Sequence, residues 1–343
     1  METTIQPAVL GIGQMGLVCA SLLSTVDPGR EVPETEVLLW GLNQEEAHEL
    51  AQTRRSKRLE GFRLADSARV SIRDEDLSRA NLIVSAIPVQ HMREALRGLR
   101  PYLRPDAMVC SVSKGIETGT LMRPSQVISD VLDDPDGRPR PVGALSGPTI
   151  ATELARCLPA TMIAASEDAS FALLLQRQFS TSWLRVYTNA DLLGVEVSGA
   201  TKNVIAIAAG IIDGLQAGFN AKSALLARGL AEIARLGEAL GARPDTFFGI
   251  AGVGDLATTC FSPEGRNRSC GEALGRGVKL KDYLDRSPFV VEGVATTRAV
   301  LDLAQRFGVE MPITQAVHAV LFEGMDPLEG IQRLMRRELK AED

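Results

Sequence analysis

The chain has 343 residues, 45% hydrophobic, 23% charged and only 4% aromatic, so two domains are expected, with cores built from Leu, Val, Ile and Ala rather than rings. Its formal net charge of −6 excludes a nucleic-acid binder, which needs a basic surface to displace counterions from phosphate. Basic groups that serve an anionic ligand must therefore be local.

In chain order, residues 1–7 show no basic stretch followed by an apolar run, so no secretory signal is expected. Residues 8–10 form an apolar strand that runs into a turn with Gly11, Gly13 and Gly16, and the apolar positions over 17–23 recur at helical spacing. A loop rich in Pro, Gly and charge covers 27–35, a second strand 36–40, and a polar, charged helix is predicted over 44–58. Residues 81–87 are an almost uninterrupted apolar run ending at Pro88, as expected of a strand buried on both faces of a parallel sheet. Residues 108–113 and 142–146 repeat that pattern. Strands alternating with helices predict a Rossmann-like, doubly wound α/β domain. From about Thr188 helices take over, clearest over 192–215 and 220–240, with Asn220 as a cap for the second and Gly241 and Pro244 as its stop. The apolar stretch 204–212, between Lys202 and Asp213, is too short to span a bilayer and suits a buried helix or a homodimer interface. The expected division is a dinucleotide-binding domain over 1–190 and an all-helical substrate-binding and catalytic domain over 191–343. Five cysteines, odd in number and without a CxxC pair, fit reduced thiols and a cytoplasmic location.

The glycine turn carries the spacing of a dinucleotide fingerprint. The first glycine makes the tight turn, the second lets backbone approach a pyrophosphate, and the third lets the helix lie close to the strand. The helix N-terminus then offers N–H donors to phosphate. An acid at the end of the second strand would read the ribose hydroxyl of NAD, but here the strand ends at Trp40, Gly41, Leu42 and Asn43 with no acid before Glu45. NADP is therefore permitted. Arg54, Arg55, Lys57 and Arg58 are near enough in sequence to reach its extra phosphate, although a solvated helix face is the plainer reading of such a run.

Two lysines stand out for chemistry. Lys114 follows a strand, at the end where open α/β sheets bind ligands. Lys202 lies inside a very apolar helix on a stripe with Glu196 and Gly199, where an ammonium is costly unless paired or chemically used. A structural Glu196–Lys202 pair is the bland explanation. Against it stands the glycine-rich segment 249–255 ending in Asp255, followed by Arg266, Asn267 and Arg268, which suits a carboxylate and a phosphate clamp. His48, His91 and His318 fall outside these motifs, and no metal-ligand spacing is present.

Taken in order, Gly11–Gly16, Ser113-Lys114-Gly115, residues 145–148, Glu196 with Lys202 and Asn203, residues 251–255, residues 266–268 and Val291-Glu292-Gly293 resemble the NAD(P)-dependent glycerol-3-phosphate dehydrogenase family over nearly the whole chain. The resemblance implies reversible reduction of dihydroxyacetone phosphate to sn-glycerol 3-phosphate with NAD or NADP, serving phospholipid synthesis or redox balance. It implies Lys202 as general acid/base, with Lys114 and Asp255 as its catalytic companions. It places the phosphorylated substrate against Lys114, Lys202, Asn203, Asp255, Thr259, Gly265, Arg266 and Asn267. It implies cofactor contacts from Gly11, Gly13, Gln14, Met15, Gly16, Leu42, Lys114, Gly147, Thr149, Ala151, Arg266, Val290 and Glu292. The chain departs from the family pattern at Gly265, usually Ser, at Ile150, usually aromatic, and at Ser198, usually Gly. A 3-hydroxyacid or ketopantoate-type dehydrogenase would act on a carboxylate rather than a phosphate ester, and a non-catalytic dinucleotide-sensing module would not need both lysines and Asp255.

Overall fold

The computed structural model describes residues 4–24, 35–132, 137, 139–339 and 341; of the loop expected over 27–35, all but Thr35 lies outside them. The chain divides into two compact units, Met1–Lys114 with Met122–Glu196, and Gly115–Leu121 with Val197–Asp343.

The first unit runs β1 (Pro7–Leu10), α1 (Gln14–Ser24), β2 (Val37–Trp40), α2 (Gln44–Thr53), β3 (Arg55–Ser56), β4 (Leu59–Arg63), β5 (Ala68–Ser71), β6 (Leu82–Ser85), α3 (Val89–Leu99), β7 (Met108–Ser111), α4 (Pro124–Leu132), β8 (Val142–Ser146), α5 (Ala151–Ala155), β9 (Ala160–Ser166), α6 (Ala169–Phe179) and β10 (Leu184–Asn189). Eight strands form one sheet in the order β10-β9-β8-β7-β6-β1-β2-β5, while β3 and β4 form a separate hairpin. All neighbours in the large sheet are parallel except β8 and β9, so the doubly wound sheet is mixed at one side. Alternate residues serve opposite faces: Val9 and Val84 join one core, Ala8, Leu10 and Ile83 the other. A sheet covered on both sides explains why its central strands are apolar up to the buried serines at their ends, Ser85, Ser111 and Ser146.

Two local expectations are corrected here. The charged helix over 44–58 ends at Thr53, because Arg54 turns into the left-handed region at φ 60° with its N–H on Leu50 O. The chain then folds back as the β3–β4 hairpin, which buries Leu59 and Phe62. The basic cluster is therefore not a helix face. The Arg54 guanidinium donates to Ala68 O at 2.8 Å, Lys57 pairs with Glu49 at 3.1 Å, and Arg58 grips Glu46.

The second unit is built from helices: α7 (Leu192–Gly214, which enters from the first unit), α8 (Gly218–Ala239), α9 (Pro244–Phe247), a π turn (Ile250–Gly254), α10 (Asp255–Phe261), α11 (Arg266–Gly275), α12 (Leu280–Arg286), α13 (Glu292–Phe307), α14 (Pro312–Phe322) and α15 (Pro327–Met335). Helix α7 is long and apolar enough to cross a membrane, with mean hydropathy 1.4, but its apolar window is wholly buried inside the protein. Asn220 does not cap α8, which starts two residues earlier behind Ala217 without a side-chain cap. Pro244 opens α9 instead of merely ending α8. Helices α7 and α11 lie in backbone contact. A Cβ on Gly210 would fall 1.9 Å from Arg268 O, and one on Gly271 1.9 Å from Ile207 O, so only hydrogens fit between the two backbones.

Candidate active site

In the first unit the three glycines of the turn after β1 sit in three different environments. Gly11 ends β1 at φ +110°, a conformation costly for any side chain, and donates its N–H to Trp40 O at 2.8 Å. A Cβ on Gly16 would lie 1.8 Å from Gly11 O, so this position admits no other residue without moving α1, whereas a Cβ on Gly13 would meet no atom within 4 Å. A Cβ on Gly11 would also touch Ala86 O, 3.1 Å away, just past β6. The turn thus sits between β1 and β6, where strand order reverses and open α/β sheets bind nucleotides. Gln14 and Met15 open α1 beside it, and Gln14 Nε2 donates to Arg58 O at 2.8 Å. Leu42 is exposed just beyond β2.

The same unit holds Lys114. Its ammonium donates to Gly147 O at 2.9 Å, a carbonyl that also accepts the Thr149 hydroxyl at 3.1 Å. Gly147 turns the chain at φ +122° so that this segment leads into Ala151 and α5.

The second unit assembles the other group. Ser198 Oγ donates to Ala251 O at 3.0 Å, tying α7 to the π turn. Four residues further on each side stand Lys202 and Asp255, and the helical repeat puts i and i+4 on one face. Lys202 Nζ lies 2.5 Å from Asp255 Oδ1 and donates to Thr259 Oγ1 at 2.7 Å. Lys202 is 5% and Asp255 1% exposed, so this is a buried ion pair at a helix start rather than surface decoration. In the glycine-rich stretch before Asp255, a Cβ on Gly252 would fall 1.9 Å from Phe247 O, so the glycine lets the π turn pack on α9. Cys260 follows Thr259, and burial pushes its thiol up to about 12, which removes it as a nucleophile at neutral pH.

Gly265 is the N-cap of α11, with Arg266 and Asn267 in its first turn. Asn267 Oδ1 accepts the N–H of Gly293 at 2.9 Å, which fixes the amide so that its NH2 edge turns away from Gly293. Gly293 also packs against Asn203, whose carbonyl lies 2.8 Å from the Cβ position. Asn203, Asn267 and the start of α13, with Glu292 as its first residue, therefore meet. Val290, just before α13, is exposed.

The proposed residues thus fall into two groups, one in each unit. The structural Glu196–Lys202 pair weighed as the bland alternative is not formed. Six residues apart on a helix, Glu196 and Lys202 leave different faces. Glu196 instead accepts the Ser125 N–H at 2.7 Å and the Ser125 hydroxyl at 2.5 Å, and it pairs with Arg123 at 2.5 Å. Burial raises its pKa although Arg123 and Ser125 oppose the shift. Phe289, whose ring centroid lies 4.8 Å from the Arg266 guanidinium carbon, was also missed; an aromatic shortly before the Val291–Gly293 motif was the available signal.

A nucleotide-binding sheet with a fingerprint turn, joined to a helical unit with a buried lysine–aspartate pair, defines a dinucleotide-dependent dehydrogenase architecture. The comparisons with known proteins agree. Residues 6–172 match the family model described as NAD-dependent glycerol-3-phosphate dehydrogenase N-terminus, and 191–332 the C-terminus of the same family. The chain is 42% identical over 336 residues to a glycerol-3-phosphate dehydrogenase [NAD(P)+] of Macrococcus caseolyticus, covering 97% of this chain and 98% of that one. It is 45% identical over 311 residues to one of Salinibacter ruber, covering 90% of each. A crystal structure of glycerol-3-phosphate dehydrogenase from Coxiella burnetii superposes with a TM-score of 0.90 at 32% identity, covering 98% of this chain and all of that one. The chain belongs to the NAD-dependent glycerol-3-phosphate dehydrogenase family.

Proposed function

We infer that the chain interconverts dihydroxyacetone phosphate and sn-glycerol 3-phosphate with NAD or NADP. The observation that carries this reading is the buried Lys202–Asp255–Thr259 group in the same helical unit as the α11 N-terminus with Arg266 and Asn267. Relatives that match nearly the whole chain bear the glycerol-3-phosphate dehydrogenase name, which disfavours the hydroxyacid and sensing-module alternatives.

We propose that residues 1–190 bind the dinucleotide and 191–343 the substrate. Gly11, Gly13 and Gly16 with the start of α1 would hold the pyrophosphate, with Gln14, Met15, Leu42, Lys114, Gly147, Thr149, Ala151, Arg266, Val290 and Glu292 as further contacts. The fit is supported by the side-chain-free approach at Gly13 and by the α1 N-terminus behind it. The bound nicotinamide supplies or accepts the hydride at the substrate's second carbon. Lys202 gives a proton from Nζ to the ketone oxygen during reduction and takes it back during oxidation, while Asp255 and Thr259 fix the direction of its N–H bonds. Lys114 and Asn203 border the carbonyl. Arg266 and Asn267 hold the phosphate, the first through its planar fork and the second through its oriented NH2, with the first-turn N–H groups of α11 behind Gly265. Five free cysteines support a reducing compartment, and we place the enzyme in the cytoplasm as a homodimer. A light-scattering mass near 36.8 kDa instead of twice that would remove the dimer.

The test is to follow reduced-cofactor absorbance with NADH and NADPH separately, adding dihydroxyacetone phosphate or a non-phosphorylated keto acid. Oxidation on the phosphate ester alone is the expected result. Turnover of the keto acid alone would overturn the reading.

A further inference from the structure

The first three residues of α11 are each tied to a different part of the helical unit. Arg266 stacks on Phe289, Asn267 accepts from Gly293, and Arg268 Nε donates to Asp213 Oδ2 at 2.7 Å. We infer that Phe289 and Asp213 are positioning residues for the substrate's phosphate: Phe289 sets the plane of the Arg266 guanidinium, and Asp213, acting through Arg268, sets the first turn of α11. This rests on the reading above, in which Arg266 and Asn267 bind that phosphate.

The geometry favours a positioning role over plain packing. Successive helical residues are turned by about 100°, so Arg266 and Arg268 leave the helix on nearly opposite sides and the turn is held from both. Asp213 is a firm anchor, because Lys222 Nζ donates to its two carboxylate oxygens at 2.9 and 2.7 Å and is itself 5% exposed. One carboxylate thereby fixes an ammonium from α8 and a guanidinium from α11, and Glu272 approaches that guanidinium at 3.3 Å. Behind this anchor α7 and α11 meet backbone to backbone at their glycines. On the other side, Phe289 is held in a tight turn in which Ser287 Oγ donates to Phe289 O at 3.0 Å and accepts the Phe289 N–H at 3.3 Å. A guanidinium lying on an aromatic face keeps its in-plane N–H fork clear for a phosphate. Without the ring the plane of that guanidinium is less constrained, and phosphate binding must then order it.

The experiment compares kcat/KM for dihydroxyacetone phosphate with kcat/KM for dihydroxyacetone, which offers the same carbonyl without the anion. Phe289→Leu should lower the first about two- to thirty-fold, the range of a cation–π contact, and leave the second unchanged. Phe289→Tyr, which keeps the ring face, should restore it. Arg268→Lys keeps a cation for Asp213 but loses the rigid fork, and it should give the same phosphate-selective loss; Asp213→Asn should do so more strongly, with a thermal melt showing whether it folds. Equal losses on both substrates, or none, in Phe289→Leu and Arg268→Lys would overturn the inference. A wild-type enzyme that ignores dihydroxyacetone phosphate would instead overturn the functional reading beneath it.

Discussion

Replacing Lys202 by Met tests the proton donor and the buried pair together, because the two effects separate by magnitude and by assay. The side chains of Lys202 and Asp255 are 6% and 2% exposed, so Lys202→Met takes the ammonium away from a carboxylate held out of water. Stranding one partner of a buried pair costs about 3 to 5 kcal/mol, which for a unit of this size lowers the melting temperature by roughly 6 to 20 °C. Loss of general acid catalysis costs on the order of 100- to 10,000-fold in kcat. The second substitution Asp255→Asn in the same chain removes the stranded charge, so the double variant should regain much of the lost melting temperature and none of the lost turnover. Calorimetry and single-turnover hydride transfer, measured well below the melt, read the two quantities apart. A folded Lys202→Met enzyme within about tenfold of wild-type turnover would refute the proton-donor role, and an unchanged melt would refute the buried charge pair.

Gly16→Ala puts a Cβ 1.8 Å from Gly11 O and should both lower the melt and abolish NADH binding, whereas Gly13→Ala, with no atom within 4 Å of its Cβ, should melt near wild type and still weaken NADH binding by fluorescence titration. Arg266→Lys should raise KM for dihydroxyacetone phosphate more than that for NADH, since an ammonium cannot reproduce a bidentate fork; equal changes would count against Arg266 as the phosphate holder. Burial raises the Glu232 carboxyl from 4.5 to about 7, although it accepts from Ile313, Thr314 and the Thr314 hydroxyl at the start of α14. The folded state then binds more protons than the unfolded chain between about pH 4.5 and 7, so this group's contribution falls as pH rises through that window and is level on either side. Glu232→Gln should flatten that part of the melt-versus-pH curve, and an unchanged slope would exclude Glu232 as its source.

What could be read without coordinates follows from burial. Strands β6 and β7 are covered on both faces, and such a strand is apolar along most of its length, here up to the buried Ser85 and Ser111 at their ends, so each stands out in the sequence. The outer strands carry no such signal. β10 alternates buried Leu184 and Val186 with outward Arg185 and Tyr187, β5 is buried only at its ends, and β9 is largely Ala, Thr and Ser, residues that pack against neighbours without advertising a strand. The hairpin after α2 was hidden for a related reason: its charged residues continue the pattern of the helix before it, and only the left-handed Arg54 separates the two.

The site was legible as chemistry and illegible as geometry. A lysine in an apolar helix declares a cost that something must offset, but the partner lay 53 residues away in Asp255, while the nearer Glu196 was committed to Arg123 and Ser125. The same limit applies to the glycines. Gly210 and Gly214 on α7, and Gly271 and Gly275 on α11, each repeat at a spacing of four, a pattern that permits close helix packing but does not say with what. Their meeting explains why the motifs around Lys202 and Arg266, far apart in the chain, form one constellation. Two helices in backbone contact cannot come closer, so the nearest approach of the segment around Lys202 to the first turn of α11 is set by the main chain itself. Side-chain tethers such as Phe289 and Asp213 then have only orientation left to decide.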